Sequence, residues 1–124
     1  MTNPLDQQFF ARLTGANDQF GAGLPAMLER LAARSAAFDP QQPATALAAE
    51  LQAQLHTMAG SAATFGFPVL GQQLRALEQR LRMLMVFDSV GADDWRQWFD
   101  DLDALVAWGR VNPRSPYYGE TTVQ

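Results

Sequence analysis

The sequence has no cysteine, no lysine and a single histidine, His56. Without cysteine there is no disulfide, no thiolate zinc site and no cysteine nucleophile. Without lysine there is no Walker-type phosphate lysine and no Schiff base. One histidine excludes the usual two- or three-histidine metal centres, so no metal and no bound cofactor are expected. All nine basic residues are Arg, against 13 acidic ones, and the net charge is −4. The basic surface of a nucleic-acid reader is therefore missing. The longest run of large apolar side chains, Met83 to Phe87, is far shorter than the roughly 20 residues of a membrane span. The start, Met1-Thr2-Asn3-Pro4-Leu5-Asp6, lacks the basic and apolar regions of a leader. The expectation is a cytoplasmic protein that binds neither nucleic acid nor membrane.

What remains is apolar and helical. Of 124 residues, 48% are hydrophobic and 18% charged, enough for one core and too apolar for disorder. Ala and Leu dominate, and β-branched residues are scarce. Five helical segments follow from the spacing. Leu5, Phe9 and Leu13 mark a short first helix, ended by Gly15-Ala16-Asn17-Asp18, with Asn17 or Asp18 capping the next. The second runs from about Phe20 to Phe38 on Leu24, Met27, Leu28, Leu31 and Ser35. The third runs from near Pro43 to Gly66 on Leu47, Leu51, Leu55, Met58, Ala62 and Phe65. Pro68 opens a fourth on Leu70, Leu74, Leu77, Leu81 and Leu84, ending near Asp88-Ser89-Val90-Gly91. The last follows Ala92, carries Trp95, Trp98, Phe99, Leu102, Leu105 and Val106, and stops at Gly109. Short connections make neighbours antiparallel. The predicted fold is all-α: an antiparallel up-and-down four-helix bundle with an additional short helix over residues 1–109, then an irregular tail over 110–124.

His56 follows the stripe residue Leu55, so it stands about 100° around the helix from the buried seam. Its own face carries Gln52, Ala53, Ala59, Gly60 and Ala63, which are mostly small. Gly60 is unusual, because glycine inside a helix costs roughly 0.5–1 kcal/mol relative to alanine. It reads either as room for something to approach His56 or as close helix packing.

The run from Leu55 to Leu70, with His56, Gly60, Ser61, Ala62, Gly66 and the stretch Thr64-Phe65-Gly66-Phe67, resembles the histidine-containing phosphotransfer (HPt) family, especially the phosphotransfer domain of chemotaxis-type kinases. That family's pattern is roughly His-x-apolar-Lys-Gly-Ser/Gly-Ala-x-x-apolar-Gly, followed on the next helix by a Leu-Glu pair matched by Leu77-Glu78. The resemblance implies a helical bundle whose exposed His56 carries a phosphoryl group to or from a receiver-domain aspartate. It implies a carrier and not an enzyme. The partner, a response-regulator receiver or a hybrid histidine kinase, brings the Mg²⁺. An imidazole, with an ordinary pKa of about 6.5, is largely neutral near physiological pH and still nucleophilic.

The resemblance also assigns supporting residues. Glu78 would accept the Nδ1–H of His56; otherwise it is a solvated surface residue or pairs with Arg75 or Arg82. The family's lysine, three residues after the histidine, is here Ala59. Arg75 is expected to take over its cationic role, with Arg82 the second candidate. Docking is expected on Ala59, Gly60 and Ala63 with Phe67 nearby. Two alternatives stay open: a binding-only relative that docks without transfer, and a helical scaffold. Gly21-Ala22-Gly23, Asp101 with Asp103, and Ser61 each lack the rest of a nucleotide, calcium or hydrolase motif. The Trp95, Trp98 and Phe99 cluster reads as core. Tyr117-Tyr118 reads as a docking or fraying tail.

Overall fold

Four amphipathic helices satisfy the apolar stripes. A computed structural model describes residues 3–87 and 90–118. α1 spans Pro4–Ala36, α2 Thr45–Thr64, α3 Pro68–Val86 and α4 Ala92–Val111, with α1 against α2 and α4, and α3 against α2 and α4. The all-α bundle expected from the spacing is thus the observed fold. Its core is drawn from the predicted stripes: Leu24, Leu28 and Leu31 from α1, Leu51, Leu55, Met58 and Ala62 from α2, Leu70, Leu74, Leu77 and Leu81 from α3, and Trp95, Trp98, Leu102, Leu105 and Val106 from α4. Met27, Leu47, Phe65, Leu84 and Phe99 of the same stripes are only partly buried. Each fully buried leucine contributes about 1.5–3 kcal/mol relative to exposure. Among the described residues, no helix is long and apolar enough to cross a membrane.

The short first helix is not separate. α1 runs unbroken through Gly15, Asn17 and Pro25 for 33 residues, about 50 Å at 1.5 Å per residue. Tertiary contacts override the local break signals. With its amide nitrogen turned to the carbonyls around it, Asn17 donates to Leu13 O (3.3 Å) and Phe65 O (3.0 Å). It therefore caps the end of α2 instead of starting a helix. Phe20 packs on Phe65 and Phe67 with ring centroids 5.7 and 5.3 Å apart. α1 is thus pinned at the α2–α3 turn, and its first turns project beyond it. Leu5, Phe9, Phe10 and Leu13 consequently lie exposed and outside the core.

The α2–α3 turn closes as its sequence requires. Gly66 takes φ +92°, a left-handed conformation that glycine adopts without a Cβ penalty. The Phe67 N–H then reaches Ala62 O (2.8 Å) and satisfies an end carbonyl of α2. Pro68 follows as the first residue of α3. α3 ends at Val86; its expected stop at Asp88-Ser89 lies outside the described residues.

Two glycines serve packing. Gly109 does not end α4, which continues to Val111; a Cβ there would lie 3.1 Å from Leu28 Cδ1, so its absence lets α1 and α4 close together. Gly71 does the same between α2 and α3: a Cβ would lie 3.1 Å from both Ala59 O and Ala63 N. The Trp98 indole N–H donates to Leu77 O (2.9 Å) and ties α4 to α3 beside Glu78. After α4, the Arg114 guanidinium lies 4.5 Å over the Phe67 ring, and Tyr118 meets Trp108 edge-on at 5.1 Å.

These contrasts predict opposite outcomes for two identical substitutions. A Cβ at Gly60 meets nothing within 4 Å, so Gly60→Ala should stabilise by about 0.5–1 kcal/mol. Gly71→Ala should destabilise by about 1–3 kcal/mol, because the obstacle is backbone and α2 must shift. Urea denaturation of both variants checks the pair.

Candidate functional site

The site begins with the register of α2 and α3. Gly71 lets the two backbones approach at Ala59 and Ala63. One turn before Ala59 on α2 and two turns beyond Gly71 on α3, His56 lies opposite Glu78. The His56 Nδ1 lies 3.2 Å from each Glu78 carboxylate oxygen. The imidazole side chain is 70% exposed, whereas the Glu78 side chain is 6% exposed. The ring therefore stands on the surface with one nitrogen turned inward onto a buried acid. With Glu78 as a carboxylate, which only accepts hydrogen bonds, and the ring neutral, Nδ1 is the donor of this contact. Nε2, at the far edge of the ring, keeps its lone pair on the open side.

Glu78 is a buried charge, and such a charge needs compensation. The Arg82 guanidinium supplies it, with one amino group 2.9 Å from Glu78 Oε2 at the i, i+4 spacing. A chain of contacts thus runs His56–Glu78–Arg82, two links on α3 and one on α2. Of the alternatives open in the sequence, Glu78 is not a solvated surface residue, and its cation is Arg82. Arg75 is exposed and forms no ion pair among the described residues. Counting back along α3 from the His56–Glu78 level puts Arg75 opposite Ala59, the level of the family's absent lysine.

Of the four residues expected in the docking patch, two are accessible and two are not. Gly60 and Ala63 are exposed beside His56. Ala59 is only 3% exposed, because it faces the close α2–α3 approach at Gly71. Phe67 is 1% exposed, because the α2–α3 turn folds it under Phe20 and the Arg114 guanidinium covers its ring. Neither side chain can form a docking surface. Gly60 is also not a packing glycine, since open space lies over it. Between α1 and α2, beyond Thr57, runs a groove whose lining includes Met27, Arg30, Ala53, Gln54, Thr57 and Met58. Helical spacing carries no sign of this groove, because it depends on how α1 lies along α2. The arrangement can present a nucleophilic ring nitrogen to a large partner on a low surface free of bulky neighbours.

No curated protein matches this chain, and no solved structure matches it. The Hpt domain family model matches residues 7–108. That span takes in α2, α3, most of α1 and α4, and the whole His56–Glu78–Arg82 chain, so the protein belongs to the Hpt domain family, the phosphotransfer modules that work with receiver domains and kinases in two-component signalling.

Proposed function

We propose that this protein is a cytoplasmic phosphorelay intermediate that carries a phosphoryl group on Nε2 of His56 to or from the aspartate of a receiver domain. The observation that supports it most is the division of the imidazole: Nδ1 is occupied by a buried carboxylate, while the rest of the ring is open. In the forward step the Nε2 lone pair forms the N–P bond. The P–O bond to the receiver aspartate breaks, and its electron pair leaves on the carboxylate oxygen. Nδ1 keeps its proton throughout, so the positive charge that develops on the ring lies against Glu78. Mg²⁺ comes with the receiver. Arg75, on the facing helix at the level of Ala59, offsets phosphoryl charge in this reading, in place of the missing lysine. The receiver docks over Gly60 and Ala63 and along the α1–α2 groove, a modest and transient contact.

The decisive test is incubation with a phosphorylated receiver or an autophosphorylated kinase. An acid-labile, base-stable phosphoprotein should form, and His56→Gln should abolish it. Complex formation without label would instead establish a binding-only relative, the reading that the alanine at position 59 favours. Absence of both would leave a scaffold. Gly60→Gln places a side chain over the open face without disturbing the core; transfer should slow at least about tenfold, a cost of about 1.4 kcal/mol, with no loss of stability. Arg75→Ala should slow transfer severalfold or shorten the lifetime of the phosphohistidine, and an unchanged rate and lifetime would remove Arg75 from the mechanism.

A further inference from the structure

We infer that Arg82 is a positioning residue for His56: by binding Glu78 it keeps the His56–Glu78 pair from taking up an additional proton, and so keeps Nε2 unprotonated. This rests on the proposed role of His56, and the test below separates the two.

The argument starts from the number of protons the pair holds. In the arrangement described, Glu78 is a carboxylate and His56 carries one proton, on Nδ1. Suppose the pair gains one more proton. That proton can produce an imidazolium beside a carboxylate, with hydrogens on both ring nitrogens. Alternatively the carboxyl becomes Glu78–OH and donates to Nδ1, and the ring's own hydrogen then sits on Nε2. Whenever the added proton lies on the line between the carboxyl and Nδ1, Nε2 bears a hydrogen and has no lone pair to offer; only a proton on a Glu78 oxygen that is not bonding the ring would spare it, and Arg82 occupies Oε2. The nucleophile is therefore lost by protonation of the pair, not of His56 alone.

Arg82 opposes that gain. Its guanidinium is permanently charged and lies 2.9 Å from Glu78 Oε2. Glu78 itself is 6% exposed, so water gives its charge little support. Take Arg82 away, and the only remaining partner of the buried carboxylate among the described residues is His56. Relief then comes from a proton, held by either member of the pair.

The surrounding charges leave this task to Arg82. On α3, Arg75 lies one turn before Glu78, with no ion pair among the described residues. Arg80 is committed to Asp101 on α4 at 2.7 Å. On α2 the only other titratable residue is Glu50, which faces Arg34 of α1 at 3.9 Å. Arg30 of α1 lines the groove on the far flank of α2. Among the described residues, Arg82 is the cation that contacts Glu78.

The experiment is an NMR titration of the His56 ring nitrogens in the full chain, wild type against Arg82→Ala. It needs no partner and no phosphate, so it stands whether or not His56 accepts a phosphoryl group. The midpoint for loss of the Nε2 proton should rise by about one pH unit in Arg82→Ala, the low end expected for removing a neighbouring charge. Arg82→Lys should restore most of it. In the Glu78→Gln background, where no carboxyl can share the proton, Arg82→Ala should move the midpoint far less. If His56 is the acceptor, the pH profile of transfer should move upward with the midpoint, and the rate on its acid side should fall about tenfold. An unchanged midpoint in folded Arg82→Ala, or an equal shift in the Glu78→Gln background, would overturn the inference. A shifted midpoint with no phosphorylation of His56 would uphold the proton arrangement and reject the relay.

Discussion

The close approach of α2 and α3 is the constraint on which the site depends. A glycine at 71 lets one helix backbone come against Ala59 and Ala63 of the other. That approach fixes the register, and the register delivers Glu78 to His56. The residues that touch at Gly71 take no part in chemistry, yet a shift there would move the acid away from the imidazole. Trp98 reinforces the placement from the opposite side, bonding the carbonyl of Leu77 immediately before Glu78. A fully buried indole on a helix carbonyl resists both sliding and rotation of α3.

On this frame the site works by an asymmetry of solvent. The buried end of the pair is held between the imidazole and Arg82; the outer end is wet and open. A carrier needs both conditions. If Glu78 were as exposed as His56, water would compete for Nδ1 and the ring could choose either tautomer. If His56 were as buried as Glu78, no partner could reach Nε2. Where the family has its lysine this chain has an alanine held at the helix contact, and two arginines of α3 lie near the pair. Arg82 is bound to the acid. Arg75 lies one turn away, at the level of Ala59.

Helix signals and tertiary contacts disagree most in α1. Gly15, Asn17, Gly21, Gly23 and Pro25 all weaken a helix locally, and the spacing of Leu5, Phe9 and Leu13 suggests a separate short element. The chain remains one helix because Asn17 bonds the end of α2 and Gly21 gives room to the Phe67 ring. Gly109 shows the same effect in α4, as a contact against Leu28 and not a stop. A glycine in a sequence states only that no side chain is present. Whether the space is used by a turn, as at Gly66, by a neighbouring helix, as at Gly71 and Gly109, or by solvent, as at Gly60, depends on what the fold places beside it.

The apolar periodicity determined the class of fold, the core leucines and tryptophans and the surface position of His56, because helical spacing decides locally which side chains share a face, and Gly66 with Pro68 marked the α2–α3 turn. The pairing of Glu78 with His56 was legible only through the family pattern. Tertiary structure decided the rest. It buried Ala59 and Phe67, exposed the first turns of α1 and chose Arg82 over Arg75 as the partner of Glu78. Each of these depends on the axial register and rotation of one helix against another, and those are set by interdigitating side chains far apart in the chain, not by the spacing within any one helix.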